Sequence, residues 1–146
     1  MPILSALVDE IIEDGLAKKE NLQPPEPVMW DEVKELSSDP NISFESHGVT
    51  HTALSTLSDE HIQSEIINSQ NRIAAITNQP CNHFCDPCGG DESIGESAPV
   101  IVGKRYRSAV TMTRGRLNNK DLLRLPRIPI HDIDSPGRAR LKILTW

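Results

Sequence analysis

A chain of 146 residues is about one domain long and can bury a core of its own. Its net charge of −6 argues against a nucleic-acid binder, which needs a basic surface to neutralise phosphates. A membrane span needs about 20 consecutive apolar residues, and no stretch of this sequence approaches that length. Three cysteines, an odd number, do not make a paired disulfide framework.

The chain as written starts without the basic leader of a secretory signal, and Asp9 follows soon after the start. This predicts a cytoplasmic protein, or an exported or cell-envelope protein if an upstream segment is missing. Residues 1–27 are predicted to form a helix and a proline-rich linker ahead of one larger unit, residues 28–146. Apolar side chains recur at helical spacing in that first segment, at Ile3, Leu4, Leu7, Val8, Ile11, Ile12 and Leu16.

The next predicted elements are a short helix, a strand and a long helix. "MWDEVKELSSDPN" predicts the short helix, with Trp30, Val33 and Leu36 on one side. "ISFES", residues 42–46, alternates apolar and polar residues as a strand does. The long helix begins after Ser58, a residue type that caps helices, and stops before Pro80.

The second half of the chain predicts a loop followed by two short strands. Residues 81–93, "CNHFCDPCGGDES", are rich in glycine and proline and predict the loop. "SAVTM", residues 108–112, and "RIPI", residues 127–130, predict the strands. Strands that alternate with helices favour an α/β fold with parallel strands.

His47 and His51 are the first candidate site. Two imidazoles four residues apart can bind one zinc or other first-row metal ion, although they also arise by chance. Gly48 and the β-branched pair that follows it argue against a helix here, so both histidines are expected at the end of the "ISFES" strand. The carboxyl ends of strands are where α/β folds place their chemistry.

The three cysteines are a second candidate site. Cys81, Cys85 and Cys88 have the C-x3-C-x2-C spacing that holds an iron–sulfur cluster, and with His83 they could instead bind zinc. Three unliganded thiols in a loop are the alternative. His131 follows an apolar strand in "IPIHD" and is a further candidate for a group that faces the site.

From Met29 to about Trp146 the sequence resembles the polysaccharide deacetylase family, which includes chitooligosaccharide and peptidoglycan deacetylases. "SHGVTH" followed by "LSTLSDE" is similar to the metal loop of that family and the helix start after it. "HFCDPCGG" resembles an F-x-x-P-x-G-G loop, and "RYRSAVTMTRGRLNN" resembles a later strand with its loop. "LLRLPRIPI" is similar to a late strand of the family.

The resemblance implies an α/β fold, a partial distorted (β/α) barrel of the polysaccharide deacetylase type that lacks its first strand or strands. It implies metal-dependent hydrolysis of N-acetyl groups on a carbohydrate substrate. A divalent metal, commonly zinc, would be bound by His47 and His51, and His131 is the nearest candidate for the general acid. One loop would line the substrate groove and present backbone N–H groups to the developing oxyanion: Cys85, Asp86, Pro87, Cys88 and Gly89.

The sequence also departs from the family pattern. Members carry a T-F-D-D element that supplies the general base and the third metal ligand, yet no Asp-Asp pair occurs in these 146 residues. Asp9, Asp14 and Asp31 lie in helical patterns and are poor substitutes. Cys85 stands where some members have arginine, and Cys88 where an aromatic residue is usual. Catalysis is therefore expected to be impaired.

Three hypotheses follow from these observations. The chain is the C-terminal part of an active deacetylase, or a truncated non-catalytic protein that binds glycans or a partner, or a cysteine-based metal or iron–sulfur protein. A barrel without its first strands also exposes sheet edges, which predicts self-association through them.

Overall fold

The computed structural model describes residues 27–115, 121–131 and 134–144. The predicted N-terminal helix and nearly all of the proline-rich linker lie outside the described residues. The division of the chain at residues 27 and 28 therefore stays a prediction.

Helices and short strands alternate along the described chain. The helices are α1 (Trp30–Leu36), α2 (Asp59–Thr77), α3 (Asp91–Ile94), α4 (Ser97–Val102) and α5 (Pro136–Leu144), with a 3-10 turn at Leu54–Thr56. The strands are β1 (His83–Cys85), β2 (Ser108–Arg114) and β3 (Leu125–Arg127).

The strands form a parallel sheet in the order β1-β2-β3. Phe84 is paired with Ala109 across β1 and β2, and Val110 with Leu125 across β2 and β3. An isolated parallel bridge joins Ser46 to Phe84 on the free side of β1. This open parallel sheet confirms the predicted α/β class and fits a partial barrel.

Helix α2 has the local signals that its sequence predicts. The Ser58 hydroxyl accepts a hydrogen bond from the His61 N–H at 3.4 Å, which caps the first turn. The helix ends at Thr77, and Asn78 adopts a left-handed conformation with φ of 54°. Ile62 and Ile66 are buried on the face that meets the sheet.

One apolar cluster lies between the sheet and its helices. Phe84 of β1 packs on Tyr106 with ring centroids 5.3 Å apart, and the Tyr106 hydroxyl donates to the Ile66 carbonyl of α2 at 3.1 Å. The other buried members come from α2, α3, α4, β2 and the connecting segments: Leu54, Ile62, Cys81, Ile94, Ala98, Ile101, Val102 and Ala109.

One strand prediction and one loop prediction are wrong in their bounds. "RIPI" lies mostly beyond β3, which pairs with β2 from Leu125, opposite Val110, and ends at Arg127. Residues 81–93 are not all loop, because Phe84 is drawn into the core and its neighbours pair with β2 as β1. Asp91 begins α3 in the same stretch.

The predicted "ISFES" strand is also incorrect, because residues 42–45 make no ladder and Ser46 forms a single bridge. A side chain replaces the missing backbone pairing. One oxygen of the Glu45 carboxylate accepts hydrogen bonds from the N–H groups of Asn82 and His83, each at 2.8 Å. Glu45 thereby holds the start of β1 beside this extended segment.

Helix α1 buries only part of its predicted apolar side. Val33 is buried, whereas Trp30 is 44% exposed and Leu36 is 43% exposed. In the described part of the chain, no helix is long and apolar enough to cross a membrane.

Candidate functional site

The histidine loop starts from a residue that is fixed on two sides. Ser46 donates its N–H to the His83 carbonyl at 3.2 Å and accepts from the Cys85 N–H at 2.8 Å. Its buried hydroxyl lies 2.6 Å from the hydroxyl of Ser69 on α2. The chain therefore leaves the carboxyl end of the sheet at a defined point, and His47 is the next residue.

His47 and His51 do come together. Their ring centroids are 4.8 Å apart and their planes meet at 71°. His51 has a left-handed backbone with φ of 57°, an uncommon conformation for a residue with a side chain. This turn directs the second imidazole back towards the first, so the pair predicted from spacing is a real cluster at the exposed rim.

A hydrogen bond selects the tautomer of the neutral His47 ring. Its Nδ1 lies 2.7 Å from the carbonyl oxygen of Cys85 in β1. A carbonyl can only accept, so Nδ1 carries the hydrogen and the neutral ring keeps a lone pair on Nε2. Metal-bound histidines usually donate their other ring N–H in this way, which sets the tautomer and the ring orientation.

Glu65 of α2 holds the loop between the two histidines, and the sequence analysis missed it. One of its carboxylate oxygens accepts from the N–H groups of Val49 at 2.7 Å and Thr50 at 2.9 Å. Partial burial acts to raise the pKa of Glu65, but the hydrogen bonds from Thr50 and Val49 outweigh it and hold the pKa below its ordinary value. A signal was available, because Glu65 lies beside Ile62 and Ile66 on the buried face of α2.

The predicted oxyanion loop uses most of its N–H groups within the protein. The Cys85 N–H donates to Ser46, the Asp86 N–H to the Val110 carbonyl and the Gly89 N–H to the Pro87 carbonyl. Pro87 has no N–H to offer. Among the hydrogen bonds of the described residues, none has the Cys88 N–H as its donor. Within this loop, the Cys88 N–H is thus the candidate to donate a hydrogen bond to an acceptor outside the protein.

The turn after Pro87 is tight and left-handed. Cys88 and Gly89 each have φ of 60°, and the N–H groups of Gly89 and Gly90 bond to carbonyls only two residues back. A Cβ atom on Gly89 would lie 2.7 Å from the backbone nitrogen of Met112 in β2. Only glycine fits at this distance from the β2 backbone. The Met112 N–H donates a hydrogen bond to the Gly89 carbonyl at 2.7 Å, which holds the turn against β2.

Asp86 is buried at the base of the same loop. Its side chain is 3% exposed, and its Oδ2 atom has no hydrogen-bond partner among the described residues. Burial raises the pKa of this carboxyl to about 6, and the positive charges of Arg124 and Arg127 only partly offset that effect. Asp86 is therefore an internal carboxyl that is costly to ionise.

The three cysteines lie in different environments. Cys81 is buried, Cys85 is half-buried and Cys88 is exposed. Burial, and then the nearby Glu45 carboxylate, raises the pKa of Cys81 to about 11, and burial also raises the pKa of Cys85. Metal ligation needs thiolates, so these environments disfavour it. In the described ranges, no three His, Cys, Asp or Glu side chains form a group that could hold a metal ion.

Within the ranges that the structure describes, the remaining predicted residues make no hydrogen bond or ring contact with the histidine pair. His131 follows β3 and is exposed, and its backbone N–H donates to Asp134 at 2.9 Å. No hydrogen bond or ring contact between described residues joins His131 to His47 or His51. Its role as general acid stays a prediction. Asp31 is an exposed residue in the first turn of α1.

The sequence of this chain matches the profile of a known protein family. The sequence profile of the polysaccharide deacetylase family matches residues 7–96, which is more than half of the chain. This chain belongs to the polysaccharide deacetylase family. No curated protein sequence matches it.

Two solved structures show the same fold. A polysaccharide deacetylase from Bacillus cereus superposes with a TM-score of 0.72 at 22% identity, covering 84% of this chain and 39% of that one. The Streptococcus pyogenes deacetylase PplD in complex with acetate gives a TM-score of 0.72 at 23% identity, covering 83% of this chain and 53% of that one. The chain therefore spans about two fifths to one half of the length of these relatives.

Proposed function

We propose that this chain carries the histidine pair of a metal-dependent deacetylase that removes N-acetyl groups from carbohydrate. The observation that carries the proposal is the hydrogen bond from His47 Nδ1 to the Cys85 carbonyl, with the His51 ring packed edge-to-face against the His47 ring. The family and the fold support deacetylation as the reaction class. The metal, the residues that bind it and the activity of this chain are the parts that the experiments below test.

The two imidazoles fit a divalent cation as part of a ligand set. Nε2 of His47 is the nitrogen left free by the Cys85 bond, and the His51 ring lies edge-to-face with the His47 ring at a centroid distance of 4.8 Å. Zinc is commonly bound by neutral imidazole nitrogens. When bound, such an ion would polarise the amide carbonyl and acidify a bound water.

The chain's own groups have separate roles in this proposal. Glu65 orders the backbone between the histidines, so their positions are set before a ligand arrives. The Cys88 N–H is the donor that an amide oxygen of the substrate would meet. His131 would protonate the leaving amine, as the resemblance implies.

Hydrolysis by this chain is expected to be slow. The Asp-Asp element that supplies a base and a third ligand is absent from the sequence. Loss of general-base help alone costs about 10²–10⁴ in rate. Acetate release from N-acetylglucosamine oligomers should therefore remain far below that of a full-length family member, and rapid turnover by this chain would contradict the expectation.

Zinc binding tests the ligand assignment directly. His47→Ala and His51→Ala should each weaken zinc affinity by more than about a hundredfold, because even the loss of a supporting outer partner costs 10–100-fold. His61→Ala is the control, since it removes an imidazole from the start of α2 that bonds to Ser58. Titration of the metal-free protein with zinc measures all three variants. If zinc affinity is the same in both loop variants and the control, the assignment is wrong.

A further inference from the structure

A groove lies beside the histidine loop. It has a volume of about 380 Å³ and is bounded by α1, by the loop itself and by α2. The residues that matter for its chemistry are Trp30, Gly48, Val49, Asn68, Arg72 and Ile73. Pockets of this size are in the range that holds small organic ligands.

The groove and the histidine pair share a wall. Gly48 and Val49, which line the groove, lie between His47 and His51 in the chain. A Cβ atom on Gly48 would lie 3.5 Å from the Pro87 ring, so this wall lies close to the predicted oxyanion loop. An extended ligand that reached the histidines could therefore continue over the rim of the loop into the groove.

The groove presents a cation stacked on an aromatic ring. The guanidinium carbon of Arg72 lies 5.2 Å from the centre of the Trp30 ring, while Trp30 is still 44% exposed. No ion pair among the described residues involves Arg72. Its guanidinium brings a fork of N–H donors to the groove, held in place by the indole.

The rest of the groove lining provides both an apolar surface and a polar group. Val49 is 59% exposed and Ile73 is half-buried, and together they supply an aliphatic surface. Asn68 donates its amide N–H to Ser64 at 3.0 Å, which leaves its carbonyl oxygen as an acceptor. A pyranose ring matches this set, since it has an apolar face of C–H groups and a rim of hydroxyl groups.

We propose that this groove is a carbohydrate subsite that binds a pyranose residue of the same amino-sugar chain whose N-acetyl group reaches His47 and His51. The proposal rests on the proposed function, because that function supplies the carbohydrate. The apolar face of the sugar packs on Trp30, and its oxygens accept hydrogen bonds from Arg72. A purely apolar peptide would instead bury the guanidinium without a partner, which is costly.

Binding of N-acetylglucosamine oligomers to the metal-free full chain tests this subsite. In buffer with EDTA, the tetramer should bind measurably by calorimetry and the monomer should bind more weakly. Trp30→Ala should weaken tetramer binding about tenfold, because it removes the aromatic surface and the support of Arg72. Trp30→Phe should retain most of the affinity, since a ring remains.

Leu36→Ala is the matched control for Trp30→Ala. Leu36 lies on the same helix and is 43% exposed, against 44% for Trp30, but it does not line the groove. Circular dichroism checks that each variant keeps its helices. Equal tetramer affinity in Trp30→Ala and Leu36→Ala, or no tetramer binding by the unmodified chain, would overturn the subsite.

The test of the groove can fail independently of the test of the proposed metal site. His47→Ala removes the proposed metal ligand but no residue that lines the groove, so in EDTA Trp30→Ala should weaken tetramer binding by the same factor in the His47→Ala background as in the unmodified chain. Loss of zinc binding in His47→Ala with no effect of Trp30→Ala would support the metal site and reject the groove. The reverse pattern would keep the groove as a glycan-binding site and reject the metal site.

Discussion

Replacing the buried carboxyl of Asp86 by an amide should stabilise the protein at neutral pH. Burial raises the pKa of Asp86 from 3.8 to about 6. That interval corresponds to about 3 kcal/mol, because a tenfold change in proton affinity is worth about 1.4 kcal/mol. Asp86→Asn keeps the shape of the side chain and removes the charge, so it should recover up to that amount in the free energy of unfolding.

The sign of the effect follows from proton linkage. Near pH 3.5 the carboxyl is largely protonated in both the folded and the unfolded chain, and ionisation costs the folded state little. As the pH rises from about 4 to about 6, the unfolded chain loses its proton first, so the stability of the unmodified protein falls. Above that range the carboxyl is ionised in both states and the full penalty remains.

Urea unfolding followed by circular dichroism measures this difference. Asp86→Asn and the unmodified chain should have similar unfolding free energies near pH 4, and the variant should be about 2–3 kcal/mol more stable at pH 7.5. Asp31→Asn, at an exposed carboxyl on α1, reports the general effect of removing one negative charge. A difference between Asp86→Asn and the unmodified chain that does not change with pH would refute the reasoning.

Two further substitutions test the supports of the candidate site. Gly89→Ala should destabilise the fold by at least about 1–2 kcal/mol, because it puts a side chain into a left-handed turn against Met112. Gly137→Ala is its control, since a Cβ there meets nothing within 4 Å and alanine favours the helix. Equal changes in the free energy of unfolding for Gly89→Ala and Gly137→Ala, measured in urea, would contradict the role of Gly89. Glu65→Gln should weaken zinc affinity about tenfold and stability by about 1 kcal/mol, because an amide oxygen accepts less strongly than the carboxylate. Zinc titration that shows no change in Glu65→Gln would mean that the loop does not need this anchor.

Local signals were sufficient for the long helix. Ser58, the acidic first turn and the stop before Pro80 are all set by residues within a few positions of the helix ends. The α/β class with parallel strands also followed from the alternation of strand and helix patterns. These features depend on interactions between residues that are close together in the sequence, so the sequence alone is enough to predict them.

The strands near the site could not be placed in the same way. Strand β1 is three residues long and is preceded by polar residues, so its strand character depends on pairing with β2 some 25 positions away. The "ISFES" segment has strand periodicity, yet the Glu45 side chain takes the N–H groups that a backbone ladder would have used. Pattern alone does not reveal which partner a hydrogen-bonding group will find.

In the candidate site, too, residues close together in the sequence were predictable, whereas contacts between residues far apart in the sequence were not. The spacing of His47 and His51 indicated a pair, and the structure places their rings together. The groups that orient the pair come from elsewhere: the Cys85 carbonyl lies 38 positions from His47, and Glu65 lies 16 positions from Val49. The orientation of His47 therefore depends on the position of β1. Any change that displaces the end of β1 should weaken zinc binding without touching a ligand, and Gly89→Ala, four residues beyond Cys85, is such a change.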